Sequence, residues 1–565
     1  MKRTIYIILL ALLFNSCLDE HPSYTLNSTT AFTDVKTAQM ALNGCYGQLT
    51  TYATYGQGIQ EIFVGASGTS WAQTNDGDPD RYSSLDISSG SVVVKGFWTG
   101  VYKTISECNF FIYNLENSPL NPSDIQAMKA QAAFIRGLCY LNLYTSFGEV
   151  PLRNTPSTES TLNQAKASKE ELIKQIEEDF TTASLGLGAT QVDGRPSLHT
   201  ARAYLAKLYW ILACQDKDSQ SPYWNKAKEY GQMVLDEGNY QLEPKFNQLF
   251  VNHVNGSKES IFQLNFSTTS QYSGNRGNWL FAPQVSTRKG VSWGRNRVNK
   301  SFHDWFVGTY PDDPRISETF LYTWINRNNN KRMYAYPYLA YMQNGEQQVM
   351  KLDYDQFEDP TNPQISELNQ RQINNFVKAT GNHNGWPFFK KQYDYESEAQ
   401  NSNKNLILYR YADFLLMMAD IENELGNTSK AVELANLVLE RARNSGATPA
   451  IHPANWSPES TQEEIRTKIY RERLFELAGE PTMFLDARIK GESYFKDLLE
   501  RHNNHHISAT FATDPSIGLH KFKDRVFNNK NISSDFLKKN LRLPIPLDEI
   551  NGNEALNSSD QNFGY

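Results

Sequence analysis

The sequence predicts a mainly α-helical protein that contains one loop-rich segment with a few short strands. Apolar residues recur at helical spacing through much of residues 31–255 and again after residue 404. Between residues 256 and 404 this periodicity gives way to Gly, Asn, Pro and aromatic residues. We therefore expect an N-terminal helical region over residues 31–255 and a C-terminal region over 256–565, the latter with a loop-rich insertion at 267–404.

Capping sequences mark where several helices begin. The run Ser123-Asp124-Ile125-Gln126 has the form of a capping box and opens an apolar-periodic segment that ends at Gly148. Two further boxes, Ser168-Lys169-Glu170-Glu171 and Thr461-Gln462-Glu463-Glu464, open two more helices. A capping box favours a helix start because its side chains accept hydrogen bonds from the unpaired N–H groups of the first turn.

Two pairs of neighbouring segments predict helical hairpins. The first pair covers residues 199–215 and 224–237, and the second covers 408–425 and 429–443. Both pairs mix small and large apolar residues, which lets antiparallel helices approach closely, as in tetratricopeptide hairpins. Residues 261–266, just before the insertion, alternate between apolar and polar side chains and predict a strand.

The loop-rich region holds five of the ten tryptophans, namely Trp279, Trp293, Trp305, Trp324 and Trp386. A long irregular segment inside a compact protein is usually functional or disordered, and aromatic content argues against disorder. Aromatic residues make up 12% of the chain. Such an excess suits a sugar-binding surface, although the core also uses these side chains.

The N-terminus predicts export and lipid attachment. Two basic residues precede an apolar run, residues 5–14, which is too short to span a bilayer and suits the core of a secretory signal. Cys17 follows the small residue Ser16 and resembles the acylated cysteine of the bacterial lipobox. We expect residues 1–16 to be removed, Cys17 to carry palmitate or a related acyl chain, and residues 17–30 to form a tether. An ordinary signal peptide with a chance cysteine is the alternative.

Charge and cysteine usage argue against two classes of protein. The net charge of −7 argues against a nucleic-acid partner, because such partners demand a basic face. The other four cysteines lie in apolar helical stretches without C-x-x-C spacing: Cys45, Cys108, Cys139 and Cys214. This placement favours buried free thiols over a disulfide framework or a zinc site.

Several short motifs occur in a characteristic order along the chain. They include Phe97-Trp98-Thr99-Gly100-Val101-Tyr102, Phe147-Gly148-Glu149-Val150-Pro151-Leu152, Asp313-Pro314-Arg315, Leu408-Tyr409-Arg410-Tyr411-Ala412-Asp413 and Leu543-Pro544-Ile545-Pro546. In this order, over essentially its whole mature length, the chain resembles the SusD/RagB family of nutrient-binding outer-membrane lipoproteins of Bacteroidetes. Pro481 and Met483 stand where that family usually has Gly and Arg. Whether one buried ion-pair network of the family is present here is therefore open, whereas the fold is not affected.

The resemblance implies a SusD-like fold, with an all-helical core of tetratricopeptide-like hairpins over which irregular loops display a ligand site. It implies a protein that is lipid-anchored to the outer membrane and captures nutrient for a SusC-like TonB-dependent transporter. The acidic pair Asp19-Glu20 resembles the surface-export signal of Bacteroidetes lipoproteins, which indicates the extracellular face. Ligands in the family are mostly glycans and, for some members, peptides.

The sequence offers no catalytic constellation, and we predict that the protein is not an enzyme. G-x-S-x-G, H-E-x-x-H and P-loop signatures are absent. The charged residues of the helical motifs are interpreted as structural ion pairs rather than acid/base groups: Arg410, Asp413, Glu472, Arg473 and Glu476. The histidine cluster His502, His505 and His506 is interpreted as part of a solvated loop rather than a metal site.

Two loop segments supply the candidate ligand-binding residues. In the first, Trp71 stands in a Gly/Asp/Pro-rich loop, where it or Tyr82 stacks on the apolar face of a sugar ring. Asp80 and Arg81 of the same loop then bond sugar hydroxyls. Trp71 packed under its own loop is the alternative.

The same loop raises the question of calcium. Asp76, Asp78 and Asp80 alternate as in calcium-binding loops, but Ile87 occupies the position at which an EF-hand needs Glu. We therefore expect no cofactor, with a structural calcium ion of another type as the alternative.

The second candidate segment spans residues 275–305. Trp279 and Trp293 are flanked by Gly and Asn, so exposure and burial are both open for them, and Arg295 and Asn296 follow directly. Trp305 stands in an apolar cluster and is assigned to the core. The resemblance implies that aromatic and polar side chains of these two segments converge on one face.

These observations lead to a hypothesis of function. We expect a surface lipoprotein that binds an oligosaccharide or polysaccharide on a shallow aromatic platform and passes it on without cleaving it. A peptide-binding subunit of the same transporter class, an enzyme acting on surface glycans and a helical-repeat adaptor are the alternatives.

Overall fold

Helices form most of the structure, a computed structural model. It describes residues 31–72, 77–192, 194–216, 220–251, 256–267, 274–283, 286–287, 292–335, 337–343, 346–351, 387–397, 399–504 and 532–565. The predicted signal peptide, Cys17 and the predicted tether lie outside these residues, as do Asp76, Trp386, His505 and His506.

The helices confirm the fold class predicted from the sequence. Those of the N-terminal part are α1 (Val35–Leu49), α2 (Gly58–Gly65), α3 (Asp78–Ser83), α4 (Val92–Glu116), α5 (Pro122–Phe147), α6 (Lys169–Gly186), α7 (Leu198–Gln215) and α8 (Pro222–Glu237). Those that follow are α9 (Gly277–Phe281), α10 (Lys300–Thr309), α11 (Ile316–Thr319), α12 (Tyr411–Glu424), α13 (Thr428–Arg443), α14 (Gln462–Glu476), α15 (Met483–Asp486), α16 (Glu492–Asn504), α17 (Ser534–Asn540) and α18 (Leu547–Gly552). Short 3₁₀ turns occupy Glu159–Thr161, Phe246–Phe250 and Ser558–Asp560.

The strands of the described residues are short and pair antiparallel in twos. They are β1 (Ser70–Trp71), β2 (Ser260–Leu264), β3 (Arg297–Val298), β4 (Phe320–Leu321), β5 (Thr323–Asn326), β6 (Lys331–Tyr334), β7 (Tyr338–Gln343), β8 (Glu346–Lys351), β9 (Phe388–Phe389) and β10 (Leu406–Arg410). The pairs are β1 with β3, β2 with β10, β4 with β9, β5 with β6 and β7 with β8.

The pairing of β2 with β10 confirms one prediction and corrects another. Strand β2 is the strand predicted at 261–266. Strand β10 includes residues 408–410, which the sequence assigned to the following helix. The helix begins only at Tyr411, whose backbone N–H donates to the Glu259 carbonyl at 2.8 Å. Pairing with a distant strand therefore overrides the local helical pattern.

Most helix ends follow the capping signals. Ser168 and Thr461 form the predicted capping boxes at the starts of α6 and α14. Helix α5 ends at Gly148, whose φ of 81° lies in the left-handed region that glycine adopts without strain. Helix α5 begins earlier than the predicted box, after Asn121, because Pro122 fits the first helical position.

Both predicted helical hairpins are confirmed. Helix α7 packs against α8, α12 packs against α13, and α12 also contacts α8 and α14. The indole N–H of Trp210 on α7 donates to Asp420 on α12 at 2.7 Å, which joins the two hairpins inside the core. In the described part of the chain, no helix is both long and apolar enough to cross a bilayer.

Four cysteines and one histidine lie in the core or at its edge. Cys45, Cys108 and Cys139 are buried free thiols, as predicted, and Cys214 is a half-buried free thiol. His502 is also buried, on α16, with its Nδ1 3.2 Å from the hydroxyl of Ser301. The prediction of a solvated loop is wrong for His502, because the apolar face of α16 continues past it into the core.

Candidate ligand-binding surface

The two predicted loop segments lie side by side. Strand β1 pairs with β3, which places Trp71 opposite Arg297. Asn299 extends this contact, because its backbone N–H donates to the Thr69 carbonyl at 2.8 Å and its Nδ2 donates to the Gly68 carbonyl at 2.9 Å. The structure therefore brings together the segments around residues 70–82 and 275–305.

A pair of tryptophans in contact, tilted at 42° to each other, forms the centre of the candidate site. Trp293 is 46% exposed, and its ring centroid lies 4.6 Å from that of Trp279, which is 8% exposed. The backbone N–H of Trp293 donates to the Trp279 carbonyl at 3.0 Å. The guanidinium carbon of Arg295 lies 4.3 Å from the Trp293 ring centroid. One indole face is thus held at the surface on a rigid support.

Polar and aromatic groups from distant parts of the chain border this pair. The guanidinium carbon of Arg276 lies 3.5 Å from the Tyr52 ring centroid and 5.5 Å from that of Trp279. Its Nε donates to Asn401 at 3.2 Å, and its Nη1 donates to Gln57 at 3.1 Å. Asn401 in turn donates to the hydroxyl of Tyr52 at 2.7 Å.

A second exposed aromatic residue stands beside the same region. Tyr395 is 41% exposed, and the guanidinium carbon of Arg327 lies 4.3 Å from its ring centroid. The backbone N–H of the preceding residue, Asp394, donates to the side-chain oxygen of Asn278 at 2.8 Å. The hydroxyl of Tyr393 donates to the Ser286 carbonyl at 3.1 Å. Residues 393–397 and 399–401 therefore run alongside the segment that carries Trp279.

We call this region the aromatic surface. It consists of Tyr52, Arg276, Trp279, Trp293, Arg295, Arg327, Tyr395 and Asn401. Sequence analysis identified Trp279, Trp293 and Arg295 but missed the other members. Tyr52 follows a predicted helix, and Tyr395 and Asn401 lie some hundred residues beyond the tryptophans, so no local pattern connects them.

The candidate residues of the first segment lie mostly beneath the surface. Trp71 is 5% exposed and is therefore buried. Tyr82 is buried, with its hydroxyl 3.0 Å from that of Ser91, and burial raises the pKa of Tyr82 well above its ordinary value. Asp80 is buried as well, whereas Arg81 is exposed. Direct ligand contact by these four residues stays a prediction.

Asn296, which follows Arg295 in the chain, is fully buried. Its backbone N–H lies 3.4 Å from the Leu280 carbonyl, which also accepts from the N–H of Arg295. Among the described residues, neither atom of its side-chain amide has a hydrogen-bond partner, and the indole N–H groups of Trp71 and Trp279 also have none. Polar atoms left unpaired in a core cost about 1–3 kcal/mol each. The floor of the aromatic surface is therefore not optimised for stability.

The aromatic surface carries two exposed rings, those of Trp293 and Tyr395. A cleft of about 890 Å³ lies elsewhere, between the ends of α5 and α7 and residues 484–493. Arg488 in its wall donates to three backbone carbonyls, of Asn540, Phe484 and Ala66, and holds the helices together. No aromatic residue of the candidate site lines this cleft. The described residues hold no group of three or more His, Cys, Asp or Glu side chains arranged to bind a metal ion.

The charged motif residues form a separate, fully buried network, which we call the charged core. It comprises Glu259, Asp313, Arg315, Lys391, Arg410, Arg441, Glu472, Glu476 and Glu480. Nη1 of Arg315 donates to both Glu472 and Glu476 at 2.6 Å. Burial opposes the ionisation of Glu476, but Arg441, Arg410 and Arg315 outweigh it and lower its pKa.

A neighbouring pair network has the same character. Arg473 donates to Asp413 at 2.5 Å and to Asp486 at 2.7 Å, with all three side chains buried. This network is present although Met483 stands where the resembled family usually has Arg. The sulfur of Met483 accepts from the Gly479 N–H at 2.9 Å. The interpretation of the motif residues as structural ion pairs is confirmed.

Comparisons with known proteins agree with this architecture. The family model described as "SusD family" matches residues 258–565, and one described as "Starch-binding associating with outer membrane" matches residues 18–210. The SusD-like protein P2 of Formosa agariphila is 26% identical over 507 residues, covering 86% of this chain and 90% of that protein. The SusD-like protein P25 of the same organism is 24% identical and covers 99% of this chain and 98% of that protein.

Solved structures share the fold. A SusD homologue from Bacteroides thetaiotaomicron superposes with a TM-score of 0.74 at 19% identity, covering 95% of this chain and 98% of that one. A structure described as a laminarin-binding SusD-like protein has a TM-score of 0.64 at 20% identity, covering 94% and 100% of the two chains. One solved with a xylogluco-oligosaccharide has a TM-score of 0.65 at 18% identity, covering 92% and 98%.

Proposed function

Because the chain belongs to the SusD/RagB family, we propose that it binds an oligosaccharide or polysaccharide at the outer membrane and delivers it, uncleaved, to a SusC-like TonB-dependent transporter. The description of the N-terminal family model, starch-binding and associating with the outer membrane, supports this proposal. The laminarin-binding and xyloglucan-oligosaccharide-bound relatives support a glycan ligand over a peptide.

The observation that carries the proposal is the exposed indole of Trp293, supported from below by Trp279. An indole offers a large rigid face on which the apolar face of a pyranose ring packs, with little conformational entropy to lose. Arg295 and Asn401 at its border supply hydrogen-bond donors and acceptors for hydroxyl groups. One sugar ring covers only a fraction of an open surface, so we expect binding to require several rings.

The state of the motif carboxylates supports a role without catalysis. A glycosidase needs two carboxyl groups that flank the bond to be cleaved and reach the substrate. Glu472 and Glu476 are instead buried and each bonded to arginine. They hold helices together and do not face the aromatic surface.

The proposed location rests on the N-terminal sequence. In this proposal residues 1–16 are a lipoprotein signal, Cys17 carries the lipid, and residues 17–30 are the tether that places the folded part on the extracellular face. Mass spectrometry of the mature protein tests this directly. The expected N-terminal peptide begins at an acylated Cys17, and a peptide that begins elsewhere without lipid would contradict it.

Isothermal titration with a panel of polysaccharides, their monosaccharides and mixed peptides tests the ligand class. We expect weak to moderate affinity for at least one polysaccharide and no measurable heat with the corresponding monosaccharide. Binding to peptides alone would falsify the glycan proposal and favour the peptide-binding alternative. Release of reducing ends by the pure protein would establish an enzyme instead.

A further inference from the structure

Arg327 is a cation that the described structure leaves uncompensated. Its guanidinium stacks on Tyr395, with 4.3 Å between the guanidinium carbon and the ring centroid. Its Nε and Nη2 are buried, and within the described ranges neither has a hydrogen-bond acceptor. A buried donor without a partner is costly, and a charged donor more so. The fold therefore maintains a positive group beside an exposed ring without neutralising it.

Arg276, beside Trp279, also has no carboxylate partner among the described residues. Its hydrogen bonds go to the neutral amide oxygens of Asn401 and Gln57, and its planar face lies on Tyr52. No carboxylate among the described residues lies within ion-pairing distance of it. These neutral contacts fix the orientation of the guanidinium but leave its charge unbalanced.

The carboxylates that flank Tyr395 in the chain are those of Asp394 and Glu396. Asp394 is buried and accepts from the hydroxyl of Ser402 at 2.6 Å and from the backbone N–H of Glu396 at 3.1 Å. Glu396 itself is exposed to water. The whole chain carries a net charge of −7, so cations left unbalanced at one exposed aromatic region are a local feature rather than a general excess.

We propose that the aromatic surface selects glycans whose rings carry negative charge, as carboxylate or sulfate groups. This inference rests on the proposed function and narrows its substrate class. The positive charge of a guanidinium attracts either anion, while the neighbouring exposed ring packs on the sugar itself. Neutral hydroxyl groups would not balance the charge of Arg327 and Arg276, so a neutral glycan gains less on this surface.

Matched pairs of polysaccharides that differ only in charge test the inference. Polygalacturonate and its full methyl ester compare a carboxylated backbone with its neutral form, and dextran sulfate and dextran do the same for sulfate. Laminarin and xyloglucan serve as neutral glycans of other backbones. We expect the charged member of at least one pair to bind about tenfold or more tightly than its neutral partner, and more weakly as salt is added. The pair that responds identifies the anion.

Substitutions locate the effect. Arg327→Gln and Arg276→Gln should each lower affinity for the charged member about tenfold and leave affinity for neutral glycans unchanged. Arg327→Lys keeps the charge and should retain part of the affinity. Arg202→Gln is the matched control, since it removes a surface arginine that pairs with Glu237 on the helical hairpin. Circular dichroism of each variant establishes that it is folded.

The outcomes separate this inference from the proposed function. Binding of neutral glycans as tight as that of their charged partners overturns the inference and leaves the proposed function intact. Selective binding of charged members that Arg202→Gln weakens as much as Arg327→Gln does would also overturn it, because charge anywhere on the protein would then suffice. Failure to bind any polysaccharide overturns the proposed function itself.

Discussion

Arginine side chains are ion-paired in the charged core, whereas on the aromatic surface they lack carboxylate partners among the described residues. In the core, Arg315 and Arg410 each pair with three carboxylates and share that of Glu476. On the surface, Arg276 bonds neutral amides, and Arg327 stacks on Tyr395 with two donors that have no acceptor among the described residues. A balanced buried charge fixes helices in place, whereas an unbalanced charge beside an exposed ring is available to a ligand.

Indole N–H groups show the same division. Trp210 in the helical core donates to Asp420, and Trp98 on α4 donates to Glu549 at 3.2 Å. The N–H groups of Trp71 and Trp279, beneath the aromatic surface, find no acceptor among the described residues. Unsatisfied polar groups concentrate where a protein binds something, because stability there is secondary to the geometry that the ligand requires.

The largest expected effect comes from breaking the charged core. Glu476→Gln removes a carboxylate that Arg315, Arg410 and Arg441 share. We expect the free energy of unfolding to fall by about 3–5 kcal/mol, because those buried guanidinium groups lose their counter-charge. Urea denaturation at pH 7 measures the change. Glu433→Gln, which breaks an exposed pair with Lys430, is the control and should change stability by less than about 0.5 kcal/mol.

The same pair of variants has a consequence for binding. Under conditions in which Glu476→Gln remains folded, its glycan affinity should match that of the wild type, since no side chain of the charged core belongs to the aromatic surface. An affinity loss in the folded variant would mean that the two regions are coupled, and the division between them would not hold.

Removing the exposed indole should weaken glycan binding strongly and change stability only slightly. Trp293→Ala is expected to weaken glycan binding by about 10–100-fold, because a central aromatic contact dominates the energy of such a surface. Its effect on unfolding should stay below about 1 kcal/mol, because nearly half of the side chain already faces water. Titration and urea denaturation measure the two quantities. Tyr113→Ala, an exposed aromatic substitution on α4, should leave binding unchanged.

Two buried lysines allow the helical core and the aromatic surface to be compared by the pH dependence of stability. Lys490 in the helical core pairs with Asp420 and Glu424, which raise its pKa against the effect of burial. Lys404 lies under the aromatic surface and donates to the Tyr393 carbonyl, and burial lowers its pKa to about 8. An unfolded lysine titrates at about 10.4. Between these two pKa values, Lys404 binds more protons in the unfolded chain than in the folded protein. The free energy of unfolding should therefore rise with pH.

Lys404→Met isolates this contribution from other titrating groups. Urea denaturation at pH 7, 8, 9 and 10 should show the wild type gaining about 1–3 kcal/mol relative to the variant across this range. The gain is absent below pH 8, where Lys404 is charged in both states. A difference between wild type and variant that does not depend on pH would mean that Lys404 is neutralised by a partner after all.

The sequence contained enough information for most of the fold and only part of the site. Capping boxes at Ser168 and Thr461 and the hairpin periodicity act locally, so the helices could be read from short windows. Residues 408–410 could not, because their strand depends on pairing with residues 260–264. The network around Glu476 was predictable in kind, since buried charges must be paired, but not in its partners.

The site depended on contacts that no local pattern encodes. Trp279 and Trp293 stand in the same irregular segment, and composition alone could not decide which of them is exposed. In the folded protein Trp279 is 8% exposed and Trp293 is 46% exposed. Arg327 was missed because no local pattern connects it with Tyr395, on whose ring it lies.

The smallest expected effect tests how much stability the unpaired side-chain amide of Asn296 costs. Asn296→Leu replaces a fully buried amide, unpaired within the described residues, by an apolar side chain of similar size. We expect the free energy of unfolding to rise by about 1 kcal/mol, because the desolvation cost of the amide disappears. If Asn296 also meets the ligand when the surface is occupied, the same variant binds glycan more weakly while unfolding at higher urea. A variant that is destabilised would instead show that the amide is satisfied in solution, and the contrast with the charged core would then rest on the arginines alone.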